Sequence, residues 1–218
     1  MKNETQILEE KLSETRNILL ELEFLKKDIK ALINTPENQH KEVLSKSRFF
    51  YRLHLNYIKL FVIDIYKLIG KDEHFNLSRT IEFCKINRRK IKWHHEISLD
   101  KLNKLSSDLE KVSNRFQEIK GLRNTRYAHS DKKKGSFDFN ISLNELWEVL
   151  EGLQNVFSML NVDFDNKQWI FSIQYNSPNF VNEIYKYRKL HDLIYKEFSE
   201  DQTTVDIDKL LKIMFSRN

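Results

Sequence analysis

The stretch that decides the fold is Ser98–Leu122, SLDKLNKLSSDLEKVSNRFQEIKGL, followed by Arg123-Asn124-Thr125-Arg126-Tyr127-Ala128-His129-Ser130-Asp131. Leu99, Leu102, Leu105, Leu109, Val112, Phe116, Ile119 and Leu122 recur at threes and fours, the spacing of one apolar stripe on an α-helix. Ser98 stands where an N-cap would be. With Leu122 as reference and 100° per residue, His129 falls about 20° away, Arg126 about 40° to the other side and Arg123 about 100° off. If the helix continues, a core-facing stripe changes from Leu, Val and Phe to Arg and His. A buried cation is costly without a partner, so this change requires a polar pocket, an acid or solvent access. The other reading is that the helix frays after Leu122 and leaves these residues on the surface.

The same periodicity runs outward in both directions. Leu8, Leu12, Thr15, Leu19, Leu22, Leu25, Ile29 and Leu32 form a stripe down a long first helix. Thr35-Pro36 reads as an N-cap and first turn. Phe50, His54, Ile58, Phe61, Ile65 and Leu68 mark a second helix, which Gly70 ends. Residues 77 to 92 read as a shorter basic helix after a polar turn. Beyond a break at Lys132 to Gly135, Ser142 with Glu145 makes a capping box. Leu143, Leu146, Leu150, Leu153, Phe157 and Leu160 follow on one face. Amphipathic helices joined by short connections predict an all-α bundle. Gln168 to Tyr175 reads as a short strand or an extended segment. Ser177-Pro178 opens a Tyr- and Lys-rich helix, and Asp206 to Phe215 closes the chain with another.

Composition agrees. Only 4 Gly and 2 Pro in 218 residues exclude a turn-rich all-β protein, and 40% hydrophobic with 32% charged residues suits a folded core with long solvated faces. Cys84 is the only cysteine, so no intrachain disulfide forms and a reducing compartment is expected. No basic-then-apolar leader opens the sequence, and no apolar run approaches the ~20 residues needed to span a bilayer, so a cytoplasmic protein without a membrane partner is expected.

The formal charge of +5 is modest but unevenly spread. Lys120, Arg123, Arg126, Lys132, Lys133 and Lys134 face Asp131 alone, a cluster suited to a phosphate backbone. Lys85, Arg88, Arg89, Lys90 and Lys92 form a second cluster, read here as a solvated helix face. Tyr175, Tyr185, Tyr187 and Tyr195, interleaved with Lys186, Arg188, Lys189 and Lys196, read either as a packing face with snorkelling lysines or as a surface for single-stranded RNA. There is no Gly-rich phosphate loop, which argues against a P-loop or Rossmann enzyme. His94-His95-Glu96 does not present a tetrahedral set, so no metal is expected. His54 reads as a core histidine and Cys84 as a small hydrophobe.

The string Arg123-Asn124, Arg126, Ala128-His129 and Asp131 at the end of an amphipathic helix resembles the signature of HEPN domains, where an Arg precedes a His by four to six residues. It is similar to the abortive-infection AbiU-like branch. The resemblance is carried over residues 40 to 162. It implies a helical bundle over 1–162 with a HEPN-like core (about 40–162), and it leaves 163–218 as an extension packed on the bundle or used in self-association. It further implies an endoribonuclease that needs no metal or other cofactor. Such an enzyme acts as a homodimer in a toxin–antitoxin or phage-defence setting, with RNA as substrate and an antitoxin protein as a possible partner. Arg123 and His129 would be catalytic, with Asn124, Arg126, Asp131 and Asp64 supporting, and Lys120, Lys132, Lys133 and Lys134 would contact RNA. Asp64, set among Phe61, Val62, Ile65 and Leu68, would need a partner such as Arg123 or Arg126. Two other classes stay open: a HEPN-like module that binds nucleotide, RNA or protein without cleavage, and a helical scaffold making a coiled-coil contact through its first helix.

Overall fold

A computed structural model describes residues 2–33, 47–124, 141–171 and 177–199. The elements are α1 (Glu4–Ile33), α2 (Arg48–Ile69), α3 (Leu77–Asn87), α4 (Leu99–Val112), a 3-10 turn (Ser113–Arg115), α5 (Phe116–Gly121), α6 (Leu143–Asp165) and α7 (Ser177–Ser199). No strand occurs among the described residues, and the fold they form is all-α. No described helix is long and apolar enough to cross a membrane. The chain divides into two compact units, one of Met1–Lys26 with Tyr57–Ile173 and the other of Lys27–Asn56 with Gln174–Asn218.

The first unit is a helical bundle whose core is made by the predicted stripes. Leu8, Leu12, Thr15, Leu19 and Leu22 of α1 are buried, as are Phe61, Ile65 and Leu68 of α2. Leu102, Leu105 and Leu109 of α4 and Leu146, Leu150, Leu153, Phe157 and Leu160 of α6 complete it. Phe61 meets Trp147 edge to face at 4.9 Å between centroids. Full burial of such a ring contributes about 1.5–3 kcal/mol. Not every predicted stripe member is buried: Leu99, in the first turn of α4, is exposed, and His54, Ile58, Val112, Phe116 and Leu143 are half-buried.

Gly152 sets the spacing where α4 packs on α6. A Cβ there would lie 2.3 Å from Cγ2 of Val112, so the helices approach where one of them has no side chain. Among the described residues, the buried charges of this interior, Lys26 and Asp163, are paired. Lys26, nearly buried, reaches Glu151 at 3.0 Å and Glu23 at 4.0 Å, and Lys101 reaches Asp163 at 2.6 Å.

The helix ends follow local chemistry. Ser98 Oγ accepts from Lys101 N–H, and Ser142 forms the predicted capping box with Glu145. Asn166, in the left-handed conformation at φ 59°, ends α6 by donating its N–H to Val162 O. The expected helix over 77–92 stops earlier, at Asn87. The chain then leaves to bond elsewhere: Lys92 N–H donates to Thr5 Oγ1, His94 N–H to Phe164 O and His95 N–H to Asp163 O. Trp93 Nε1 donates back to Arg88 O and closes the turn. Gly70 does end α2, though not through a left-handed backbone. Its role is clearance, because a Cβ would sit 2.7 Å from the Tyr66 ring and 2.9 Å from Glu73 Cγ.

In the second unit Ile29, Leu32 and Phe50 are buried, and α7 carries the ion pair of Lys186 with Glu183 at 3.9 Å. Residues 168–171 are non-helical, and 172–175 of the predicted strand or extended segment lie outside the described residues, as do Thr35-Pro36 and Asp206–Phe215.

Candidate functional site

The first residues of the motif sit where the helical backbone changes type. After α4 the chain makes a 3-10 turn at Ser113–Arg115 and one short helix, α5, and residues 122–124 then take π-helical backbone. Such local rewinding within a helix marks functional positions more often than chance. Leu122 remains buried, whereas Arg123 comes to lie against α2 and the turn after it.

Three contacts hold Arg123. Nη2 donates to Glu73 Oε1 at 3.3 Å, the guanidinium lies over the Tyr66 ring at 4.4 Å, and Nη1 donates to Asn124 Oδ1 at 3.2 Å. Tyr66 is buried and stacks on Phe116 at 5.8 Å with 18° between planes. Lys120 Nζ lies 5.9 Å from the centre of the Phe116 ring. Two rings and two cations therefore gather at one end of the bundle. A stacked guanidinium suits this place better than an ammonium would, because it is planar and less strongly hydrated.

The turn that supplies Glu73 is itself fixed. Asn76, buried, donates Nδ2–H to Gly70 O at 2.6 Å and accepts Arg79 N–H at 3.1 Å, so it caps α3 and ties the turn to the end of α2. Arg115 donates to Glu118 at 3.2 Å and to Glu145 of the α6 capping box. The Glu145 carboxyl is held below its ordinary pKa, first by the Ser142 backbone N–H, then by the Ser142 hydroxyl and by Arg115.

The carboxylate paired with Arg123 is Glu73, not Asp64. Asp64 pairs within its own helix, with Lys67 at 2.6 Å. Arg126, His129, Asp131, Lys132, Lys133 and Lys134 lie outside the described residues. Sequence reasoning missed Glu73, Tyr66 and Phe116 as a set. One signal for it was available: Tyr66 precedes Gly70 by one helical turn, the spacing at which a ring folds over a residue without a side chain.

Other candidates are absorbed by structure. In the second basic cluster Lys85 pairs with Glu82 at 3.8 Å, Arg88 donates to Ile97 O at 3.1 Å, and Lys90 pairs with Glu4 at 3.3 Å. His95 Nε2 lies 3.3 Å from Asn166 Oδ1. Cys84 is fully buried, and burial pushes its thiol up to about 12, which leaves no thiolate for chemistry near neutrality. On α7, Lys189 lies over Tyr185 at 5.5 Å, while Tyr187 and Tyr195 stay exposed.

The described residues thus form an all-helical bundle that carries the Arg123-Asn124 pair on the helical run after α4, the arrangement expected of a HEPN-type domain. The chain belongs to the abortive-infection-related HEPN AbiU2 family, whose model (AbiU2) it matches over residues 6–186. The match takes in α1 and the start of α7, well beyond the 40–162 span of the motif resemblance. No curated protein and no solved structure matches the chain.

Proposed function

We propose that the protein is a metal-independent endoribonuclease of the HEPN type, acting in phage defence or a toxin–antitoxin pair through an Arg/His site completed in a homodimer. The observation that carries this reading is the seating of Arg123. A carboxylate and an aromatic ring aim a permanent planar cation, with about a third of its side chain left exposed. In the reaction a base removes the proton of an RNA 2′-hydroxyl, the 2′-oxygen attacks the adjacent phosphorus, and the bond to the 5′-oxygen breaks. An acid then protonates that leaving oxygen. His129 is the base or acid of one chain, a role suited to an imidazole, and its copy in the partner chain supplies the other. Arg123 neutralises the charge growing on the phosphate oxygens. Arg126, Asn124 and Asp131 support the motif, and Lys120 with Lys132, Lys133 and Lys134 draws in the RNA backbone.

The test is RNA cleavage by purified protein in the presence of a chelator. His129→Ala is expected to abolish cleavage, and Arg123→Ala to lower it more than Arg126→Ala. Full activity of His129→Ala would sink the proposal. The second reading, a module that binds RNA or nucleotide without cleaving it, draws on the engagement of Arg123 by Glu73 and Asn124. It predicts retained RNA binding and no cleavage by the unmodified protein.

A further inference from the structure

A cleft of about 640 Å³ opens beside the aromatic pair that carries Arg123, between the Gly70–Asn76 turn, α3 and the α4–α5 junction. Its volume falls in the range typical of small-ligand sites. Phe116 lines it and stacks on Tyr66, and Tyr66 in turn lies under Arg123, so one ring pair links cleft and motif. Ile69 and Asn76, which flank the turn bearing Glu73, form the adjoining wall.

The lining decides the chemistry. Lys71 and Lys85 face Glu82 and Glu110, so the cleft carries no net charge, and Lys85 is already paired with Glu82. A phosphate would gain little there. Apart from the exposed Lys71, the lining groups left without a partner among the described residues are neutral or acceptors. Asn114 and Gln117 are exposed and make no side-chain hydrogen bond with the described residues, and the Glu110 carboxylate has no ion-pair partner among them. Carboxamides pair with the adjacent donor and acceptor of any base edge, so discrimination falls to the Glu110 carboxylate, which accepts from the exocyclic amine of adenine or cytosine. Uracil offers no such amine.

We infer that this cleft is a base-recognition subsite, which takes an unpaired adenine or cytosine of the RNA next to the phosphate held by Arg123. The inference rests on the ribonuclease reading for its substrate, but its test does not use cleavage. Sequence-specific RNA recognition falls on splayed single-stranded bases whose edges are open to hydrogen bonding, and the cleft presents groups for such an edge.

Fluorescein-labelled 2′-O-methyl octamers of A, C and U cannot be cleaved by 2′-hydroxyl attack, so the unmodified full-length protein can be titrated with them by anisotropy. The A or C octamer is expected to bind about tenfold tighter than the U octamer. Glu110→Gln, altered only at an exposed side chain, is expected to narrow that ratio to less than about twofold, and Asn114→Ala/Gln117→Ala to weaken binding of all three octamers. Lys104→Ala, exposed elsewhere on α4, keeps the ratio. Equal affinity for all three octamers, no binding at all, a ratio unmoved in Glu110→Gln, or unweakened binding by Asn114→Ala/Gln117→Ala overturns the subsite. Failure of the protein to cleave RNA overturns the nuclease reading and leaves this comparison standing.

Discussion

Replacing Glu73 by Gln removes the charge that holds Arg123 while keeping the size of the side chain, and the structure sets what each measurement returns. The pair is 3.3 Å long with 28% and 32% of the two side chains exposed. Solvent screening of such a pair limits its stability contribution to about 0.2–1 kcal/mol. For a chain of this length that lowers the melting temperature by less than about 4 °C. On the proposed ribonuclease reading, the expected effect on cleavage is much larger. Arg123 keeps the Tyr66 ring beneath it but loses the anchor that fixes its rotation, and a displacement of the order of 1 Å costs up to about 100-fold in kcat. Arg123→Ala, which removes the cation itself, costs about 100- to 1000-fold. If Glu73 acts through Arg123, Glu73→Gln adds nothing in the Arg123→Ala background, because the two side chains report one interaction. The assay is kcat and KM for RNA cleavage by the two single variants and the double, with thermal melts alongside. Multiplicative losses in the double variant would refute the positioning role. So would a Glu73→Gln enzyme with lower KM and higher kcat, since Glu73 would then be competing with the phosphate for Arg123.

Gly152→Ala drives a methyl to 2.3 Å from Val112 Cγ2, and Val112 is β-branched with little rotamer freedom to yield. Overpacking of about 1–3 kcal/mol exceeds the ~1 kcal/mol that alanine gains in helix propensity, so urea unfolding should show a net loss. Val112→Ala in the same chain should restore part of it, and an unchanged urea midpoint for Gly152→Ala would contradict the close approach of α4 and α6. Ser142→Ala should lower stability at neutral pH by about 0.5–2 kcal/mol through loss of the cap. Because the folded Glu145 carboxyl titrates below its ordinary value of 4.5, its contribution is complete above that pH and fades as the pH falls through the lowered value. Acid unfolding of Ser142→Ala should accordingly show a shallower loss below about pH 4.5 than the parent; identical acid limbs would dismiss the linkage.

Much of the bundle was legible because burial and helical period are coupled directly. Even the polar Thr15, which the α1 stripe required to face inward, is fully buried. The caps at Ser98 and Ser142 were equally legible, since a hydroxyl three residues before an orphan N–H is a local matter. Tertiary competition was not. Asn87 ends α3 because Lys92, His94 and His95 find partners on α1 and at the end of α6, and no local propensity records partners so distant. The Glu73–Arg123 pair spans fifty positions and joins a polar turn to a helix end. A sequence pattern can say that a cation on an apolar stripe needs an acid, but several acids satisfy it equally. Asp64 was the plausible choice on helical grounds, and Lys67, one turn along the same helix, is closer to hand.

The rewound backbone bears on the conflict between the two candidate cations. A straight helix from Leu102 onward would place Arg126 on the core-facing stripe with His129 and turn Arg123 about 100° away. The chain is not straight there. The 3-10 turn at Ser113–Arg115 advances about 120° per residue instead of 100°, and the π-type backbone at 122–124 changes the increment again. Three residues of the first kind rotate the downstream chain by about 60° relative to α4. Ile119 and Leu122 stay in the core through this rotation, and Arg123 meets Tyr66 and Glu73. A buried-edge cation has thereby acquired the acid and the polarisable ring that its position on an apolar element demands. Arg123, the cation that the family pattern selects, has this seat, whereas Arg126 and His129, which the helical arithmetic places on the core-facing stripe, lie outside the described residues. A substitution that restored regular α-helix across Ser113–Arg115 would undo that rotation, which makes the junction, as much as the motif, a determinant of where the cation points.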